Sequence, residues 1–222
     1  MLSRLAGVLV PCAGRLSVSA DPGAEVVPGS IVAANHTSLA DPALVVAALR
    51  GLGVRSTVMA AAGLWRVPVL GRVLEGGGHI PVHRRSRRAA DALDLAADAL
   101  AEGRVVLIYG EGGIPDRPDA GEAAPGAFRS GLARLAERTG APVVPLGQAG
   151  ARRITSGSVA KQLAGLATAP LRRPRLHVHV GAAIRPAGDD LAARTAHAHA
   201  AVTAAWRTAA TRIAGLPVTL TV

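Results

Sequence analysis

Within a chain of 222 residues, Asn35-His36-Thr37-Ser38-Leu39-Ala40-Asp41 sets an imidazole and a carboxylate five positions apart. Histidine is the side chain best suited to accept a proton near neutral pH. A carboxylate on its other ring nitrogen fixes the tautomer and steadies the imidazolium. A loop turning into a helix brings such a pair together. The spacing also has a plainer reading, in which Asp41 caps a helix opening at Pro42 and His36 is an ordinary loop residue.

Two further groups carry possible chemistry. Tyr109-Gly110-Glu111-Gly112-Gly113 puts a carboxylate in a glycine turn, where the backbone approaches a ligand closely and N–H groups can hold an anion. The alternative is a flexible turn. Ile80-Pro81-Val82-His83-Arg84 ends on a cation suited to a phosphate, followed by Arg85, Arg87 and Arg88. A basic helix start opposes the helix dipole, so an anionic partner would offset it.

The elements that must position these groups follow from apolar periodicity. Residues 30–34, 56–60, 79–82, 104–109, 142–146 and 175–180 read as strands, and 42–49, 86–101, 128–138 and 189–214 as helices. Strands alternating with helices imply an α/β fold, a mainly parallel sheet with helices on both faces. The length suits one domain, residues 1–222, with a short N-terminal segment and a C-terminal helix packed on it. His36, Arg84 and Glu111 each follow a strand, so all three are expected at the carboxyl edge of the sheet, where open α/β sheets bind ligands.

Composition narrows the partners. The formal charge is +10, which favours an anionic partner or simply keeps the protein in solution. With two Trp, one Tyr and one Phe, the chain offers few stacking platforms for single strands, and it has no zinc-finger spacing. Nucleic acid is therefore not expected. The single Cys12 makes no intramolecular disulfide, which suits a reducing cytoplasm. No apolar run approaches the ~18 residues of a bilayer span. His177 and His179 share a strand face, and His197 and His199 sit two apart on a helix. Without Cys or carboxylate companions they are read as structural, and no metal is expected.

The ordered motifs resemble those of the lysophosphatidic acid acyltransferase family, also called glycerolipid acyltransferases. Asn35 through Asp41 resembles its N-H-x-S-x-x-D block, and Gly71 through Ile80-Pro81-Val82-His83-Arg84 its I-P-V-x-R block. Glu111-Gly112 falls where the family has P-E-G-T-R-S. Phe128 through Ala136 resembles F-K-x-G-x-x-R-L-A, and Pro142-Val143-Val144-Pro145-Leu146 resembles P-V-V-P-V. These blocks span about residues 30–150.

The resemblance implies an O-acyltransferase in phospholipid biosynthesis with no cofactor beyond its acyl-donor substrate. His36 would act as general base on an acceptor hydroxyl and Asp41 would orient it. The hydroxyl attacks an acyl-CoA or acyl carrier protein thioester directly, without a covalent acyl-enzyme, and backbone N–H groups near the helix start are candidates to steady the oxyanion. Arg84, Glu111 and Gly112 correspond to positions that bind the polar acceptor, a lysolipid such as 1-acyl-glycerol-3-phosphate. Gly110 departs from the usual Pro, and Gly113-Ile114-Pro115 from T-R-S. The arginine expected at 114, which holds the acceptor phosphate in the family, is missing, and Arg117 lies three residues on. This leaves open a non-phosphate acceptor, or a non-catalytic relative that binds lipid or carrier protein.

Only about 30 residues precede the first block, against a longer membrane-anchoring N-terminus in many relatives. The protein is thus expected in the cytoplasm, peripheral at the anionic inner face of the cell membrane. Residues 60–74, with Leu64, Trp65, Val67, Val69 and Leu70 among Arg66 and Arg72, read either as an interfacial segment or as a core helix ending at Pro68.

Overall fold

The computed structural model describes residues 2–84, 90–114 and 121–215, so Arg85, Arg87, Arg88, Pro115 and Arg117 lie outside the described residues. The chain opens with α1 (Leu2–Ala13), β1 (Arg15–Ala20), β2 (Ile31–Ala34), α2 (Asp41–Gly51) and β3 (Ser56–Ala61). After a 3₁₀ turn at Ala62–Arg66 come α3 (Leu70–Gly76), β4 (Ile80–Val82), α4 (Asp91–Ala101) and β5 (Val105–Tyr109). It continues through α5 (Gly131–Thr139), β6 (Val143–Ala149), a 3₁₀ turn at Ala151–Arg153, α6 (Val159–Arg172), β7 (Arg175–Val180) and α7 (Leu191–Ala214).

These strands form one sheet in the order β1-β7-β6-β2-β5-β3-β4. Every neighbouring pair is parallel except β6 with β7. The sheet is covered on both faces, and side chains alternate between them. Val32 and Ala34 of β2 pack with Leu44, Val45 and Leu49 of α2 and with Ala6 and Val10 of α1. Ile31 and Ala33 pack the other way, against Ala96 of α4, Leu132 and Leu135 of α5 and Val202 of α7. A core of Ala, Val and Leu lets the layers approach closely. At Gly147 in β6 an added Cβ would lie 2.1 Å from the Ala205 carbonyl carbon and the Trp206 nitrogen of α7.

The expected α/β class and mainly parallel sheet are what the structure has. Strand β6 runs past the expected end at 146 to Ala149 and so carries Gln148 to the sheet edge. Helix α1, strand β1 and helices α3 and α6 were not read from the sequence. The core-helix reading of residues 60–74 is wrong. The 3₁₀ turn ends at Arg66, Val69 takes a left-handed φ of 68°, and Leu64, Val67 and Val69 are exposed. A five-residue 3₁₀ turn with no buried residue is not a core helix running to Pro68.

Candidate active site

His36 follows β2, at the carboxyl end of a strand that lies between β6 and β5. Its Nδ1 donates to Asp41 Oδ2 at 3.0 Å, the tautomer a carboxylate acceptor requires. Nε2 has no partner among the described residues. Asp41 is fully buried, and the same Oδ2 also accepts the backbone N–H of Thr37 at 2.5 Å and of Ser38 at 2.8 Å. The helix cap expected at Asp41 is not formed. Ala40 precedes the first turn without a side-chain cap, and the carboxylate turns back into the loop. Pro42 still suits the start of α2, because a first-turn N–H is unneeded there.

The loop between His36 and Asp41 is pinned from several directions. Ser38 Oγ donates to Thr155 O at 2.8 Å, and Arg152 donates to Thr37 O at 3.0 Å and to Gly121 O at 2.8 Å. Asn35 exchanges two bonds with the Gln148 backbone, at 3.1 and 2.9 Å. The Tyr109 ring stacks on His36 with centroids 4.4 Å apart. Burial, with a smaller contribution from Asp41, pushes the Tyr109 phenol well above its ordinary value, so the ring stays neutral. The loop's N–H groups are already engaged: Thr37 and Ser38 by Asp41, Ala40 by the hydroxyls of Ser38 and Thr155, and Asp41 by Ser38 O. These four donors are therefore not free for an oxyanion.

Glu111 reaches the same centre from the glycine turn after β5. Its Oε1 accepts the His36 backbone N–H at 2.7 Å, and its Oε2 accepts the Gly126 N–H at 2.9 Å. Burial raises this carboxyl above its ordinary range, partly offset by those two N–H bonds. Gly112 has a φ of +69°, and an added Cβ would meet Arg129 Cδ at 2.6 Å. An added Cβ on Gly113 would lie 3.5 Å from an Arg84 guanidinium nitrogen. Arg84 and Arg129 thus converge on this turn. Partial burial, and then the charge of Arg129, lower the Arg84 pKa from its ordinary value. The departure at Gly110 has a steric cause, since a Cβ there would fall 2.3 Å from the Phe128 ring.

The structure therefore gathers His36, Asp41, Glu111 and Gly112 tightly, with Arg84 at the glycine turn. Sequence reasoning missed Tyr109, Gln148, Arg152, Thr155 and Arg129 as neighbours of this centre. Only Arg129 carried a signal, as the cation of the Phe128 block. His177 and His179 stand elsewhere, in a ladder beneath the edge strand. His177 bonds Ser17 at 2.7 Å and Ser19 at 2.8 Å, and His179 bonds Ser19 at 2.9 Å and Asp21 at 3.1 Å.

A buried carboxylate holds an imidazole in one tautomer at the strand edge of an α/β sheet, an arrangement chemically able to accept a proton at Nε2. The Acyltransferase family model matches residues 21–148, more than half of the chain, and includes His36, Asp41, Arg84, Glu111 and Gly112. The chain belongs to the Acyltransferase family and is an acyltransferase. The fold is similar to that of the 1-acyl-sn-glycerophosphate (LPA) acyltransferase PlsC from Thermotoga maritima. That likeness has a TM-score of 0.66 and 17% identity, and covers 93% of this chain and 79% of that one. No curated protein matches the sequence.

Proposed function

We propose that this chain transfers a fatty acyl group from acyl-CoA or acyl carrier protein to the free hydroxyl of a lysophospholipid such as 1-acyl-glycerol-3-phosphate. The observation that carries the reading is the His36–Asp41 bond of 3.0 Å, which commits the Nδ1 proton and leaves Nε2 as the base. His36 Nε2 takes the hydroxyl proton as the oxygen attacks the thioester carbonyl. The tetrahedral intermediate collapses with loss of the C–S bond, and the imidazolium returns its proton to the leaving thiolate. Asp41 stabilises the imidazolium between these steps. Neither Ser38, whose hydroxyl is held by Thr155, nor Cys12 acts as a nucleophile. No cofactor or metal enters the scheme.

The missing arginine at 114 does not remove cations from the acceptor side. Arg129 crosses Gly112 and Arg84 reaches Gly113, and two neighbouring guanidiniums are mutually unfavourable until an anion lies between them. That pairing supports a phosphate-bearing acceptor over a neutral one. Glu111, with both oxygens engaged by backbone N–H groups, positions the His36 loop and the turn rather than holding the acceptor itself. The substrate's amphiphilic character and the charge of +10 support a peripheral position at the anionic cytoplasmic face of a membrane. No helix among the described residues is long and apolar enough to cross one.

The test is incubation of acyl-CoA, and separately acyl carrier protein, with lysolipids including 1-acyl-glycerol-3-phosphate and neutral monoacylglycerol, with products resolved by mass spectrometry. Diacyl product from the phosphorylated acceptor, lost in His36→Ala with the far-ultraviolet circular dichroism unchanged, is expected. Free fatty acid formed without acceptor would mean hydrolysis instead. Transfer only to monoacylglycerol would overturn the phosphate assignment. No turnover in any arm would leave a binding protein.

A further inference from the structure

The α2 face of the sheet carries helices turned the wrong way round for a protein wholly in water. Of the fourteen residues of α6, only Ala169 is buried, while Val159, Leu163, Leu166 and Leu171 are 73%, 62%, 50% and 88% exposed. Val159, Leu163 and Leu166 lie at helical spacing on one side. Helix α1 does the same with Leu5, Val8 and Leu9 and with the exposed Cys12. The two helices are neighbours in the fold, and each carries an exposed apolar row. Apolar residues clustered on neighbouring helices mark an interaction surface rather than scatter.

Beside them lies a groove of about 730 Å³ between α1, β1 and the end of α2, with Leu16 and Val18 in its wall. Four arginines line it, Arg15, Arg50, Arg55 and Arg173, and among the described residues no carboxylate does. Arg173 bonds the Pro11 carbonyl, joining the end of α6 to α1. The guanidinium groups of Arg15, Arg50 and Arg55 have no hydrogen-bond or ion-pair partner among the described residues. Like charges gathered without counter-charge call for an anion, and apolar rows beside them call for hydrocarbon. The catalytic loop adjoins this face: Ser38 bonds the turn before α6 through Thr155, and Leu39 is 64% exposed.

We propose that α1, α6 and the arginine groove form the docking face for an anionic phospholipid bilayer, with lipid phosphates in the groove and the Leu and Val rows among the acyl chains. The inference rests on the peripheral-membrane reading above. It moves the contact away from residues 60–74 and presents the His36 loop beside the lipid from which an acceptor would enter.

Cys12 is the chain's one cysteine and stands on α1, so it takes an environment-sensitive fluorophore without any substitution. The fluorophore is expected to shift to the blue with phosphatidylcholine vesicles containing phosphatidylglycerol, and less with phosphatidylcholine alone. No shift overturns the proposal. In flotation, the Arg15→Gln/Arg50→Gln/Arg55→Gln variant is expected to lose about a hundredfold in affinity for anionic vesicles, from ~1 kcal/mol per cation at the surface. Leu163→Ser/Leu166→Ser weakens binding to both vesicle types. Loss confined to Leu64→Ser/Val69→Ser would return the contact to residues 60–74 and overturn the proposal. Turnover of detergent-dispersed lysolipid is measured in parallel. Vesicle binding without turnover fails the enzymatic reading alone, whereas turnover without vesicle binding fails the docking face alone.

Discussion

Replacing Asp41 by asparagine separates the chemistry of the pair from the architecture of its loop. Oδ2 of the buried carboxylate accepts three donors, Thr37 N–H, Ser38 N–H and His36 Nδ1–H. An amide oxygen in the same place keeps all three but loses the charge. A hydrogen bond to a charged group is worth about 1.5–3 kcal/mol and a neutral one about 0.5–1.5, so the exchange costs about 1 kcal/mol per bond. Relief of burying a carboxylate offsets part of the total. A net loss of about 1–2 kcal/mol corresponds to a melting temperature lower by roughly 2–8 °C in a chain of this size.

The catalytic effect is far larger, because the imidazolium loses its counter-charge: a fall of about 10²–10⁴ in kcat is expected. Asp41→Ala takes the acceptor from the His36 Nδ1–H and leaves the two backbone N–H groups of Thr37 and Ser38 buried without one, at about 1–3 kcal/mol each, and is the variant expected to damage the fold. Turnover is best followed by mass spectrometry of the acylated product, since the exposed Cys12 would react with a thiol dye. An Asn variant within about tenfold of wild-type kcat would refute the reasoning and make Asp41 only a ligand of its own loop.

Other perturbations probe the remaining parts. Arg129→Gln is expected to raise KM for a phosphorylated acceptor by about 10–100-fold, from one lost charge-assisted contact, with kcat less affected; unchanged KM would remove Arg129 from the acceptor site. Gly147→Ala drives a Cβ into the backbone of α7 at 2.1 Å and should cost about 3 kcal/mol or more, seen as a depressed unfolding midpoint in urea. His177 is lowered from 6.5 to about 4 by burial, then by the Arg212 and His179 charges. The unfolded chain therefore takes this proton first, and stability complete above pH 6.5 is lost progressively as pH falls towards about 4; His177→Gln should flatten that part of the stability profile. Glu111→Gln keeps an acceptor for His36 N–H but puts donor against donor at Gly126, so kcat should fall along with a rise in KM. A change in KM alone would mean that Glu111 only holds the acceptor.

The inner strands were legible because they are buried and read as continuous apolar runs: the strand expected at 104–109 is β5, Val105–Tyr109, in the structure. Elements missed from the sequence have the opposite character. Helix α1 contains Pro11, and α6 contains Gly165 and Pro170, all helix-weakening residues. Most of their large apolar residues face outward, and only small or few side chains (Ala6 and Val10 of α1, Ala169 of α6) are buried, so the buried stripe is too thin to read. Strand β1 is an edge strand without a fully buried residue, and pairing with β7 rather than propensity makes it a strand.

The same distinction governs the site. His36 and Asp41 are five residues apart, and local spacing was enough to propose their bond. Arg152 and Thr155 meet the loop from more than a hundred residues away, and nothing in their own neighbourhood points there. The glycine turn differs in three dimensions from what its motif positions suggest one by one. Judged position by position, the loss of arginine at 114 empties the acceptor side of a cation. In three dimensions Phe128 sits over Gly110, which leaves no room for a side chain there. The next residue, Arg129, then crosses a glycine whose positive φ leaves it open. The substitution at 110 thus belongs with the packing of Phe128, and that packing is what delivers a second guanidinium to the turn.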